Sequence, residues 1–257
     1  MNSNSPLKDR AIVITRPAGE SQRLAALVRD AGAVPLLFPA IEICDALDLK
    51  PLNDAITRLD EFDLAIFISP SAVEKAMTRI TARRALPAKL RCAAVGPGGV
   101  RALQRFGISG VIAPQDRYDS ESLLASAFMQ DVSGKNVVIF RGDGGRELLA
   151  DTLTARGAHI ESVTCYRRAK PVLDSAPLLE AWSRNEVAAA IVTSSEGLRN
   201  LCEMLGAPGA AFLRNTLMIV PHPRIAAVAR DMRMTRVVES ASGDEALVAT
   251  VIHQLCG

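Results

Sequence analysis

Along nearly the whole chain, short runs rich in Val, Ile, Leu and Ala alternate with stretches whose apolar positions recur every three or four residues. The runs at Ala11–Thr15, Leu64–Ser69, Cys92–Val95, Gly110–Ala113, Val137–Phe140, Ala188–Thr193, Leu217–Val220 and Arg236–Glu239 have the length and composition of strands. Between them, Glu20–Ala31, Ser71–Ile80, Glu147–Arg156 and Gly197–Leu205 carry helical spacing. Such alternation predicts an α/β protein of parallel sheets wrapped by right-handed crossovers. Two segments break the rhythm: PLLFPAIEI (35–43) and ESVTCYRRAKP (161–171) are extended and punctuated by proline.

The pattern also repeats. Adding 125 to each number lays Arg16 on Arg141, Gly19 on Gly144, Leu24 on Leu149 and Gly32 on Gly157. Eight of the 21 positions from Val13 to Ala33 are identical at that offset. FISPS (67–71) falls on VTSSE (192–196), AAVGP (93–97) on MIVPH (218–222), and Glu121 on Glu245 after one slipped residue. One constant offset across separate segments points to two similar lobes. The extended segments occupy equivalent places and could pair as an antiparallel ribbon linking the lobes. The first βα unit of each half would then pack with the remaining units of the other. The expected division is 1–37 plus 170–257 for one lobe, 41–165 for an inserted second, and 35–43 and 161–171 as linking strands.

Composition narrows the class. A chain of 257 residues with 49% hydrophobic and 23% charged residues is that of a soluble globular protein. The net charge of +2 comes with no basic run of the kind that marks a nucleic-acid partner. The apolar runs are strand-sized, short of the roughly 20 residues a membrane helix needs. MNSNSPLKDR (1–10) lacks an apolar core and reads as a frayed terminus, not a signal peptide. Cys44, Cys92, Cys165, Cys202 and Cys256 are scattered, odd in number and without CxxC, which suits reduced thiols in a cytoplasmic protein. His159, His222 and His253 stand far from them and from one another, against a structural metal site.

Ligands of open parallel sheets bind beyond the C-terminal strand ends, so the residues that follow the strands form the candidate site. These are Thr15-Arg16-Pro17, Ser69-Pro70-Ser71, Gly96-Pro97-Gly98, Arg141-Gly142-Asp143-Gly144-Gly145, Thr193-Ser194-Ser195 and Pro221-His222-Pro223-Arg224. Turns of hydroxyls, glycines and arginines at helix starts favour an anion. Arg141-Gly142-Asp143 could also be scanned as an adhesion tripeptide, but nothing else in the chain looks extracellular. Ser69, Ser71, Ser194 and Ser195 suit ordinary N-caps as well as ligand contacts. Arg16, Arg141 and Arg224 suit surface ion pairs as well as carboxylate or phosphate anchors. No P-loop, dinucleotide fingerprint or nucleophile elbow occurs. Tyr166, on the second linking segment, could pack or could face an interlobe cleft.

Taken in order, ITRPAGE (14–20), FISPSAV (67–73), AVGPGG (94–99), PQDRYDSESLL (114–124), VVIFRGDGGRELLADTLTARGA (137–158), CYRR (165–168), IVTSSEGL (191–198) and VPHPRIA (220–226) resemble the uroporphyrinogen-III synthase family, of the proteobacterial type. The resemblance implies two α/β lobes joined by a two-stranded antiparallel linker. It implies cofactor-free dehydration and cyclisation of hydroxymethylbilane, a linear tetrapyrrole, with its last ring inverted to give uroporphyrinogen III. Conformational control in the interlobe cleft would replace a reactive side chain. By the same resemblance Tyr166 matches the family's linker tyrosine, suspected of helping hydroxide leave. Thr193, Ser194 and Ser195 match the hydroxyl-rich loop that faces the cleft, with Ser69 and Ser71 as its counterpart. Thr15, Arg16, Gly96, Arg141, Gly142, His222 and Arg224 complete the expected substrate contacts, although VPHPR departs from the glycine-containing loop of many members. A monomer in the cytoplasm, without metal, membrane or nucleic acid, is expected, with substrate handed over by hydroxymethylbilane synthase. The other classes left open are a non-catalytic module binding a polycarboxylate tetrapyrrole or other polyanion, and a phosphosugar or nucleotide enzyme.

Overall fold

β1 (Ala11–Ile14) reads AIVI and is buried at all four positions, as a strand must be when helices cover both faces of a parallel sheet. The computed structural model describes residues 7–115, 118–144 and 147–256; part of the terminus expected to fray therefore lies outside the described residues. After β1 come α1 (Gln22–Asp30), β2 (Val34–Leu37), β3 (Glu42–Asp45), α2 (Lys50–Thr57), β4 (Leu64–Phe67), α3 (Pro70–Thr81), β5 (Arg91–Ala94) and α4 (Pro97–Arg105). The chain continues through α5 (Ser120–Ala125), α6 (Ala127–Gln130), β6 (Asn136–Gly142), α7 (Leu148–Ala155), β7 (His159–Ala169) and α8 (Ala176–Ser183). It ends with β8 (Val187–Ile191), α9 (Ser195–Asn215), β9 (Leu217–Val220), α10 (Pro223–Asp231), β10 (Val237–Glu239) and α11 (Asp244–Cys256).

These elements form two compact units, Met1–Glu42 with Ala169–Gly257 and Ile43–Arg168. The first holds a sheet of order β10-β9-β8-β1-β2, parallel at each junction. The second holds the order β3-β7-β6-β4-β5, parallel from β7 to β5. Each sheet mixes both halves of the sequence. β1-α1-β2 joins β8 to β10, and β6-α7-β7 joins β4 and β5, so equivalent strands stand in the same order.

The internal identities have physical causes. α1 and α7 both run into a glycine in the left-handed region, Gly32 at φ 86° and Gly157 at φ 85°. The next amides, of Ala33 and Ala158, then reach back 3.1 Å to the carbonyls of Val28 and Leu153. Alternate strand residues serve opposite layers. In the second unit Ala65, Phe67, Val138 and Phe140 face one apolar cluster, while Leu64, Ile66, Val137 and Ile139 face the other. The Phe67 and Phe140 rings stack at 5.0 Å.

Three expected elements differ in form. Gly110–Ala113 makes only one bridge, Ala93 to Ile112, because Gly110 is left-handed (φ 66°) and Pro114 cannot donate to a ladder. The segment 35–43 divides at Pro39 into β2 and β3; β2 carries Pro35 where a proline is tolerated, at a sheet edge. β3 and β7, drawn from the two linking segments, are hydrogen-bonded neighbours in the second sheet. The helix expected to end at Leu205 is followed by Gly206 (φ 61°, ψ −162°), a break after which the helix resumes to Asn215.

Candidate functional site

In the second unit, β6 and β7 carry the most closely knit of the strand-end groups. Tyr166 is 1% exposed, and its hydroxyl lies 3.1 Å from Ser69 Oγ. Ser69 also caps α3, its Oγ accepting from the Ala72 amide at 3.0 Å. Tyr166 pairs with Gly142 across the strands, where the register shifts. A Cβ at Gly142 would come within 2.6 Å of the tyrosine Cζ, so only glycine leaves room for the ring. The Asp143 amide donates to the Tyr166 carbonyl at 3.0 Å, and the Asp143 carboxylate accepts from the Arg168 amide at 3.1 Å. The Cys165 thiol donates to the Arg141 carbonyl at 3.1 Å, and burial pushes its pKa up to about 12. Arg141, Gly142 and Asp143 are therefore braced against β7, while Gly145 and Arg146 of the same stretch lie outside the described residues.

Arg141 is 9% exposed, and its Nη1 holds both oxygens of Glu147 at 2.7 Å. It lines a cavity of about 140 Å³ with Ser120 and the apolar side chains of Ile68, Val95, Ile139 and Leu149. Ser71 is buried beside the Ser69 cap. Gly96 caps α4 without a side chain, and a Cβ on Gly98 would meet Pro70 at 2.9 Å. The glycines of AVGPGG thus let the first turns of α3 and α4 come close.

The first unit repeats the scheme with different partners. Thr15 is buried, and its Oγ1 donates to the Ile191 carbonyl at 3.1 Å. Arg16 Nη1 holds Asp244 Oδ1 at 2.6 Å, with side chains 19% and 15% exposed. Ser194 caps α9 through Gly197 N at 2.8 Å. Thr193 is half-buried, and the Ser195 Oγ is buried without a hydrogen-bond partner among the described residues. His222 caps α10, its Nδ1 accepting from the Arg224 amide at 3.1 Å; this uses the tautomer with the proton on Nε2. Arg224 is exposed.

Tyr166, Ser69, Gly142 and Arg141 are thus knit together in one unit. Thr15, Arg16, Ser194, Ser195 and His222 stand at the strand ends of the other. Sequence reasoning missed the carboxylates that hold the arginines. Glu147 follows Arg141 by six residues, a local signal that was available; Asp244 lies 228 residues from Arg16 and gave none. Among the described residues, no three His, Cys, Asp or Glu side chains converge as a metal site, and no helix is long and apolar enough to cross a membrane.

A duplicated α/β protein whose parallel sheets end in hydroxyl- and arginine-bearing turns is the class this geometry defines. The model of the family described as uroporphyrinogen-III synthase HemD matches residues 22–249, and the chain belongs to that family. It is 33% identical to the uroporphyrinogen-III synthase of Escherichia coli over 243 residues, 93% of this chain and 99% of that one. Among solved structures, the synthetase of Helicobacter pylori superposes with a TM-score of 0.60 at 16% identity, covering 95% of this chain and 99% of that one. A mutant synthase of Thermus thermophilus gives 0.57 at 20%, covering 96% and 98%. These structural likenesses establish the fold.

Proposed function

We propose that the protein converts hydroxymethylbilane to uroporphyrinogen III, losing water and closing the ring with the last pyrrole inverted. The observation that carries this reading is the family match, which spans both units, joined to 33% identity over almost the full length of a named synthase. The chemistry is redox-neutral: the substrate gives up one water, and no electron donor or acceptor enters the balance. Its own pyrrole nitrogen pushes out the terminal hydroxyl to give an azafulvene. Attack from the substituted carbon of the last ring then forms a spiro intermediate, which fragments and recloses with that ring reversed.

The uncatalysed azafulvene closes without inversion, so the protein's task is to hold the chain where the spiro route is nearer. Tyr166 is read as the group that assists departure of hydroxide. Thr15, Arg16, Ser69, Ser71, Gly96, Arg141, Gly142, Thr193, Ser194, Ser195, His222 and Arg224 are read as the surroundings of the substrate's carboxylate arms. Backbone N–H groups, hydroxyls and guanidinium groups suit such arms. A cytoplasmic monomer supplied by hydroxymethylbilane synthase completes the reading.

The test is an isomer assay. Fresh hydroxymethylbilane given to purified protein should yield isomer III in excess of the isomer I formed spontaneously. Isomer I alone from folded protein overturns the assignment, and tight tetrapyrrole binding without turnover would select a binding module instead.

A further inference from the structure

The duplication makes each unit a reference for the other, and one difference between them points to a ligand. Arg16 and Arg141 stand at the same place, at the ends of the equivalent strands β1 and β6. Over Arg16, the first residue of α11 supplies a carboxylate, Asp244, at 2.6 Å. The matching first residue of α5, by the offset that brings Glu121 onto Glu245, is Ser120. Serine is shorter and uncharged, and here the cavity of about 140 Å³ lies, lined by Ser120 and Arg141.

We propose that this cavity receives one carboxylate arm of the ligand, which takes the place over Arg141 that Asp244 takes over Arg16. The claim rests on the tetrapyrrole reading above and narrows it to one subsite. Glu147 engages only Nη1 of Arg141, and Nε and Nη2 have no partner among the described residues. A guanidinium has five N–H donors and can hold a second carboxylate along its other edge. The volume is close to the roughly 150 Å³ of a cavity that admits benzene, enough for an acetate or propionate group but not for a pyrrole with all its substituents. The walls of Ile68, Val95, Ile139 and Leu149 suit the methylene stem of such an arm and lower the local dielectric around the ion pair.

Two variants with opposite expected effects provide the test. Ser120→Asp builds in the carboxylate that the other unit already has, and should raise KM for hydroxymethylbilane about tenfold, with kcat within about twofold. Ser120→Asn, similar in size and neutral, should raise KM by less than the aspartate does. Glu147→Gln removes the carboxylate that now shares the guanidinium and should lower KM severalfold; its side chain is 58% exposed, so folding is not at stake. Equal KM values for Ser120→Asp and Ser120→Asn, or a KM for Glu147→Gln that is unchanged or raised, would overturn the subsite. Failure of the functional reading looks different, because the unaltered protein would then give no isomer III.

Discussion

The hydroxyl of Tyr166 lies 3.1 Å from Ser69 Oγ, the same atom that caps α3, so the residue read as assisting catalysis is built into a helix start. Tyr166→Phe keeps the buried ring and deletes one hydrogen bond, which should cost about 0.5–1.5 kcal/mol of stability. Turnover should fall while KM stays near its original value, since the role proposed for the hydroxyl belongs to bond breaking. Tyr166→Ala should instead cost about 3–5 kcal/mol, the range for emptying a buried aromatic site. Urea midpoints and steady-state rates of the two variants separate these roles, and full activity in the phenylalanine variant would reduce Tyr166 to packing.

Gly142 supports the same ring from below. A Cβ there would sit 2.6 Å from Tyr166 Cζ and 3.0 Å from its hydroxyl oxygen, so one of the two strands must move. Gly142→Ala should destabilise by about 1–3 kcal/mol, the usual range for overpacking. The loss should shrink in a Tyr166→Ala background, where the clash is gone, giving a coupling of about 1 kcal/mol or more in a double-mutant cycle. Additive losses would show that the strain lies elsewhere.

The two equivalent arginines should respond differently. Arg16 is closed by Asp244 in a partly buried pair, so Arg16→Ala strands a carboxylate 15% exposed and should cost about 1–3 kcal/mol. Arg141→Ala leaves behind Glu147, which is 58% exposed and can turn to water, so its stability cost should be smaller. Its effect on KM should be the larger, because Arg141 lines an open cavity. A KM that moves equally in both variants would remove the distinction between an arginine already closed by a carboxylate of its own unit and one with donors left for the ligand.

The thiols offer a check on burial. Burial pushes Cys92 up to about 11 and Cys165 up to about 12, while Cys256 is exposed. At pH 8 fewer than about one in a hundred of the two buried groups would be thiolate, the reactive form. Ellman titration of native protein should therefore modify Cys256 quickly and leave Cys92 and Cys165 untouched until denaturant is added, when all five react. Rapid native labelling of Cys165 would mean that the α3–β7 packing opens readily.

Much of this architecture was legible because the same physics acts twice in the chain. The left-handed glycines, the buried LAIF and LMIV strands and the proline-led helix starts each have a local cause that leaves a residue-level trace. The unpaired Gly110–Ala113 run looked like a strand because its composition is apolar. What deprives it of a ladder is a left-handed glycine at one end and a proline just after the other. At the site, arginine and glycine positions could be read from the turns, and the caps could be read from their hydroxyls. The pairing of Arg16 with Asp244 could not, since it depends on how β1 and α11 meet in the folded unit. The burial of Tyr166 was equally hidden: two arginines follow it in sequence, and its cover comes from Gly142 and Ser69.

Acid stability should carry the mark of one surface cluster. Asp45 on β3 accepts from Lys75 Nζ and from Arg79 Nη2, each at 2.8 Å, and the hydrogen bond from Lys75, with the charges of both cations, holds its carboxyl below the usual range. A carboxylate depressed in the folded state adds stability that is fully present above its unfolded value of about 3.9 and is lost as pH falls through the lower folded value. The contribution is therefore flat near neutrality and disappears below about pH 4. Because the Asp45 side chain is 48% exposed, solvent screening limits it to about 1 kcal/mol or less. Asp45→Asn should lower the urea midpoint slightly at pH 7, leave it unchanged near pH 2 and flatten the acid limb between them. Raising the salt concentration should erase most of the difference at pH 7. A gap between variant and parent that persists undiminished at pH 2 would mean that Asp45 acts through backbone geometry rather than through charge.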